Sequence, residues 1–222
     1  TQFASSAASD VYKRQQYKQI DNLGQNTISP KAITIRPKVC IYVALGGNYH
    51  FKLCNVVTKI GMALSDFVSA GIKIRSMSRF FSTPCFPAGA GPDFVNAVVS
   101  VSWQGDADSL MHRLHALEAR HGRERTQRWG QRTLDLDLIA MGTTVLPDLK
   151  EFSHWRDLAL DRQIIESPAK LILPHPRLQD RAFVLVPLAD IAADWCHPVS
   201  GVSVRRMVDA LPPSDVQAVR PL

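Results

Sequence analysis

The 222-residue chain contains no apolar run near the roughly 18 residues a membrane-spanning helix needs, and its first residues lack the apolar centre of a secretory signal. Cysteine is scarce. Cys40, Cys54, Cys85 and Cys196 show no C-x-x-C spacing, which argues against zinc and disulfide frameworks and predicts free thiols in a reducing cytoplasm. Neither a G-x-x-x-x-G-K-[ST] phosphate loop nor a G-x-G-x-x-G fingerprint occurs, so any nucleotide must be held by side chains. Bulk charge is also missing where it would matter. The formal net charge is +6, but residues 1–38 hold six Lys/Arg against two Asp, leaving 20 Lys/Arg against 18 Asp/Glu in residues 39–222. A nearly balanced body gives no electrostatic case for a nucleic-acid partner.

Residues 1–36 are polar and aperiodic and read as a disordered or non-native leader. Residues 37–222 read as a single domain, since 45% hydrophobic content supplies a sizeable core. The apolar run Val39 to Leu45 predicts a buried strand closed by a turn at Gly46-Gly47-Asn48. Val56, Ile60, Ala63, Leu64 and Phe67 predict a helix ended by Gly71. Ile72–Arg79 and Phe94–Val101 predict strands, with a Pro- and Gly-rich loop between them from Phe80 to Pro92. A helix with Leu110, Leu114 and Leu117 inward starts at Asp106 or Asp108 and ends before Gly122. A strand in TLDLDLIAM completes a β-α-β-β-α-β order, that of the ferredoxin-like split βαβ plan, an α+β (α/β) arrangement with an antiparallel sheet. Residues 143–169 look like an irregular insertion. The apolar segments Phe183–Ile191 and Val202–Leu211 are suited to cover the second face of the sheet, making three α/β/α layers.

The stretch from Glu118 to Leu138 concentrates both signs of charge. Arg120, Arg123, Arg125, Arg128 and Arg132 are rigid forks for phosphate oxygens. Asp135 and Asp137 are two apart on a strand, so both carboxylates project from one face, roughly 6–7 Å apart, while Leu134, Leu136 and Leu138 face the core. That donor set suits magnesium shared with substrate phosphates. Trp129 inside the basic segment offers a stacking surface. Phe94 and Asn96 also share a face, an aromatic ring beside an amide, which meets the needs of a flat heterocycle. His175 lies between two prolines that fix its backbone. A carboxylate at Glu118 opposes the helix dipole and implies a specific partner. Two rival readings, an RNA-binding sheet and a D-x-D sugar transferase, fit less well. The strands lack the ribonucleoprotein pattern, unscreened acids would repel RNA phosphates, and the chain is short of the parallel βα units a nucleotide-sugar domain needs.

LGGN at 45–48, SRFFSTP at 78–84, GPDFVNAV at 91–98, GRERTQRWGQRTLDLDL at 122–138 and LPHPRLQDRAFVLVPL at 173–188 together resemble the 6-hydroxymethyl-7,8-dihydropterin pyrophosphokinases of folate biosynthesis. The resemblance implies transfer of the β,γ-diphosphate of ATP to a pterin alcohol, two Mg²⁺ ions, and a cytoplasmic monomer with no membrane or nucleic-acid partner. It implies that Asp135 and Asp137 bind metal and are catalytic together with Arg123 and Arg132. Glu118, Arg125, Trp129, Arg132, Leu138, Lys170, Ile172 and His175 would line the ATP site. Thr83, Pro84, Phe86, Phe94, Asn96, Trp129 and Phe183 would hold the pterin, and Arg128 and Arg181 would lie on the phosphate side. The chain departs from the family pattern at Gly47, Cys85, Phe94, Lys170 and His115.

Overall fold

The computed structural model describes residues 19–20, 26–27, 39–48, 53–85, 92–122, 134–159, 162 and 165–222. The chain divides into two compact units, Thr1–Lys38 and Val39–Leu222. In the first, β1 (Gln19–Ile20) pairs antiparallel with β2 (Asn26–Thr27).

The second unit runs β3 (Ile41–Gly47), α1 (Leu53–Ser69), β4 (Lys73–Met77), β5 (Phe81–Thr83), β6 (Phe94–Ser102), α2 (Ala107–Arg120) and β7 (Asp135–Met141). It continues through α3 (Leu149–Asp157), a 3-10 turn at Leu178–Asp180, α4 (Ala182–Ala192), α5 (Val204–Ala210), α6 (Pro213–Ala218) and β8 (Arg220–Pro221). Its strands lie in the order β7, β3, β6, β5, β8, with β4 also on β6, and all these pairings are antiparallel. With β4 and β5 taken as one interrupted strand, this is the ferredoxin-like βαββαβ plan.

Alternation divides the core between the two faces of the sheet. Ile41, Val43 and Leu45 of β3, Val95, Ala97, Val99 and Val101 of β6, and Leu136 and Leu138 of β7 pack with Val56, Ile60, Ala63 and Phe67 of α1 and Leu110, Leu114 and Leu117 of α2. Tyr42, Val98 and Ile139 face the other way, into a cluster with Val184, Leu185 and Leu188 of α4 and Val204 and Met207 of α5. The result is the three-layer α/β/α sandwich. Burying each such Val, Leu, Ile or Phe stabilises the fold by about 1.5–3 kcal/mol. The helix ends follow local rules: Asp106 caps α2 by accepting the Ser109 amide at 2.8 Å, and Gly71 takes φ +80° after α1.

Four local expectations are corrected. Gly46 and Gly47 do not form a turn but lie inside β3, because β6 and β7 pair with it as far as Gly46, and β6 as far as Gly47. The segment from Phe80 is not loop at its start, since Phe81–Thr83 forms β5. The strand predicted as continuous over 72–79 breaks at Ser78: its amide donates to the Val98 carbonyl at 2.9 Å, while its hydroxyl, in place of a backbone carbonyl, accepts the Val98 amide at 2.9 Å. The insertion contains α3, started by Asp148 accepting the Glu151 amide at 2.9 Å and anchored by fully buried Phe152. Among the described residues, Cys40, Cys85 and Cys196 form no disulfide, and no helix is long and apolar enough to cross a membrane.

Candidate active site

The site begins with the alternation of β7. Leu134, Leu136 and Leu138 are buried, so Asp135 and Asp137 emerge half-buried on the opposite face. Among the described strands β7 lies at the edge of the sheet, and an inward-lying edge amide needs a partner. Glu118, only 1% exposed at the end of α2, accepts the Leu136 amide at 2.7 Å. The carboxylate that opposes the helix dipole therefore pins the backbone between the two aspartates.

At the other end of β7 the register with β3 shifts between Tyr42 and Val43, so that Ile139 bulges. A bulge re-aims backbone groups; here the Ile139 carbonyl accepts the His175 amide at 2.8 Å. Leu146 and Leu173 exchange both backbone bonds, at 2.9 and 3.2 Å. These contacts hold the returning chain against β7. A cleft of about 450 Å³ opens between α2, β7 and the returning segment 168–175. It brings together five residues named from sequence: Asp137, Leu138, Lys170, Ile172 and His175.

His175 Nδ1 accepts the Arg177 amide at 3.1 Å, which places the imidazole proton on Nε2. Burial, then the fields of Arg181 and Arg177, push its pKa down to about 3, so the ring is neutral at physiological pH. Arg181 stands with its guanidinium carbon 5.6 Å from the ring centre of Phe183, which is 40% exposed.

A second group lies on the same sheet face as the aspartates. Asp135 is in register with Gly46, Gly46 with Asn96, and Asn96 with Phe81. Asn96 is 6% exposed, and its Nδ2 donates to Thr83 Oγ1 at 2.7 Å. Half-buried Phe94 lies opposite Thr83. Three residues assigned to the heterocycle, Thr83, Phe94 and Asn96, thus meet across β5 and β6, while Pro84 follows them on the surface. Phe86, Arg123, Arg125, Arg128, Trp129 and Arg132 lie outside the described residues.

The profile of the family described as 7,8-dihydro-6-hydroxymethylpterin-pyrophosphokinase (HPPK) matches residues 42–193. The chain belongs to this family. Among its HPPK relatives, the 2-amino-4-hydroxy-6-hydroxymethyldihydropteridine pyrophosphokinase of Synechocystis sp. is 34% identical over 196 residues, covering 87% of this chain and 88% of its own. The enzyme of the same name from Pseudomonas aeruginosa is 35% identical over 160 residues, covering 71% of this chain and 83% of its own. The crystal structure of wild-type Plasmodium falciparum HPPK-DHPS superposes with a TM-score of 0.53 at 12% identity, over 77% of this chain and 44% of that one. A structure of HPPK-DHPS in complex with substrates gives 0.55 at 13% identity, over 79% and 43%. The present chain spans under half the length of those solved chains, and at that identity they show the fold alone. The HPPK reaction moves a pyrophosphoryl group from ATP to hydroxymethyldihydropterin in folate synthesis.

Sequence reasoning missed most of one wall of the HPPK cleft, naming only His115 there, as a departure from the family pattern. Asp108, Met111, His112 and His115 line it from α2. Their 0, 3, 4, 7 spacing marks a single helix face, a signal available beforehand but masked by the leucine stripe beside it. Pro168, Ala169 and Leu171 also line the cleft; nothing local foretells this, because the return of the insertion puts them there.

Proposed function

We propose that this HPPK binds ATP in the cleft between α2, β7 and residues 168–175, and binds the pterin over Thr83, Phe94 and Asn96, with Asp135 and Asp137 between the two. The observation that carries this reading is the shared sheet face. The acids project beside the nucleotide-sized cleft, and the amide–hydroxyl pair lies two strands away on the same side.

Among the described residues no cluster of three or more His, Cys, Asp or Glu forms a metal cage. Two carboxylates on one face still fit magnesium, which keeps waters and takes its remaining oxygens from phosphates. Asp135 and Asp137 would hold two such ions, which supply charge neutralisation along the triphosphate.

In the reaction the pterin hydroxymethyl oxygen forms a bond to the β-phosphorus of ATP while the bond from that phosphorus to the α,β-bridging oxygen breaks, so AMP leaves. The hydroxyl proton passes to solvent. Catalysis of this kind is mostly positioning and electrostatics. The Asn96 amide and the Phe94 face orient the ring. His175, neutral and with its proton on Nε2, donates toward the nucleotide without adding charge. Lys170 and Arg181 add positive charge on the phosphate side. Leu138 and Ile172 give the adenine an apolar wall, and Glu118 supports it from below by fixing β7. For Arg123, Arg125, Arg128, Trp129, Arg132, Phe86, Pro84 and Phe183 the assignment rests on the family resemblance, with Arg123 and Arg132 neutralising the transferred group. The same reading, resting on the family resemblance, has the enzyme acting as a monomer in the cytoplasm; sedimentation at working concentration tests the oligomeric state.

Pterin-dependent AMP release is the deciding assay. Asp137→Ala abolishes turnover and Asn96→Ala raises the KM for pterin. Near-wild-type AMP release by the Asp137 variant would overturn the metal assignment.

A further inference from the structure

Gly46 occupies an unusual place. It is inside β3, paired on one side to Asp135 and on the other to Asn96. Its φ is not positive, so backbone geometry does not demand glycine there. Glycine within a strand is destabilising relative to alanine, and a strand glycine often marks close approach by another group. Here that group is identifiable. A Cβ at Gly46 would lie 3.1 Å from Asn96 Oδ1, closer than ordinary van der Waals contact. Asn96 has little freedom to yield, being 6% exposed and tied through Nδ2 to Thr83. Oδ1 takes no hydrogen bond from any described residue and is not among the buried side-chain atoms left without one, so it remains available as an acceptor.

We propose that Gly46 is a positioning residue for the heterocyclic substrate: its bare Cα lets the Asn96 carbonyl oxygen lie over β3, aimed to accept an N–H from the ring. This rests on the pterin site proposed above. Asn96 fixes the edge of the ring and the acids lie roughly 10 Å away, two strand spacings across the sheet. A shift of a few tenths of an ångström at the amide therefore misplaces the reacting alcohol as well.

The test is a double-substitution cycle on Gly46→Ala and Asn96→Ala, read by AMP release with pterin and ATP varied separately and by thermal unfolding. Gly46→Ala raises the KM for pterin by about tenfold or more, the scale of one misplaced methyl in a fitted pocket, and leaves the KM for ATP unchanged. In the Asn96→Ala background it adds little, because the atom it displaces is gone. If Gly46→Ala fails to fold, recovery of folding in the double variant supports the same close contact, and failure of both overturns the proposal in favour of a purely structural glycine. Wild-type KM values for Gly46→Ala, or an equal penalty in both backgrounds, also overturn it. An Asn96→Ala variant with wild-type pterin KM would instead sink the underlying pterin site, so the two failures are distinguishable.

Discussion

Glu118 illustrates how one buried side chain can shape a site through the backbone it holds. It is buried at the dipole-unfavourable end of α2, yet its Oε1 accepts the amide between the two aspartates at 2.7 Å. Glu118→Ala leaves that amide unsatisfied inside the protein, a loss of about 1–3 kcal/mol, measurable as a lower midpoint in urea unfolding. Glu118→Gln keeps an acceptor at the same reach and recovers part of it. Because the bond lies between Asp135 and Asp137, on the metal site proposed above the alanine variant also needs more Mg²⁺ for half-maximal activity; an unchanged Mg²⁺ requirement would separate the strand from the site. Thr83 makes a smaller contribution of the same kind. Thr83→Val keeps the shape but removes the acceptor for Asn96 Nδ2, a bond worth about 0.5–1.5 kcal/mol, and on the proposed reading raises the pterin KM several-fold.

Among the elements, those whose periodicity coincides with burial were legible from sequence. β7 could be read because Leu134, Leu136 and Leu138 are buried at period two, and α1 because Val56, Ile60, Ala63 and Phe67 are buried at helical spacing. The glycines of β3 misled because turn preference is local, whereas neighbours on both sides extended the ladder through Gly46. The break between β4 and β5 was hidden for a different reason: a serine hydroxyl takes the place of a ladder carbonyl, and no periodicity marks such an exchange. Ser78→Ala tests it directly. Removing the acceptor strands the Val98 amide, costs about 1–3 kcal/mol and speeds hydrogen exchange at that amide; unchanged protection would mean another group takes over. α3 escaped notice because it buries one side chain, Phe152. That residue packs against His197 with ring centres 5.7 Å apart. Phe152→Ala therefore costs about 3–5 kcal/mol, seen as a loss of helix signal and of Tm, while the KM for pterin stays put.

At the scale of the second unit, remote segments close the structure around the cleft, and their ionisable groups make its stability depend on pH. The insertion leaves beside β7 at Leu146 and returns at Leu173, and its return delivers both the cleft wall and His175. Arg79, at the break between β4 and β5, forms a two-pronged bond to Asp190 of α4, at 3.0 and 2.9 Å. That bond holds the Asp190 carboxyl below the usual carboxylate range, so its contribution is present above the ordinary value near 3.8 and lost as pH falls below it; with Arg79 largely exposed the contribution is small. The histidines act at higher pH. Burial first, then neighbouring arginines, depress His175 to about 3 and lower His197 as well. Their unfolded values lie near 6.5. Below that pH the unfolded chain binds protons that the folded imidazoles refuse, so stability is complete above about pH 6.5 and declines as the solution is acidified toward the folded values. Thermal unfolding between pH 8 and pH 4.5 should give a flat Tm above neutrality and a steady fall below it. His197 Nδ1 accepts the Val199 and Ser200 amides at 3.2 and 3.3 Å, and His175 Nδ1 accepts that of Arg177. Asparagine offers an acceptor near Nδ1 but does not titrate, so the His175→Asn, His197→Asn double variant should flatten the acid limb while retaining the fold at pH 7. A limb that persists unchanged in that variant would assign the acid sensitivity to carboxylates instead.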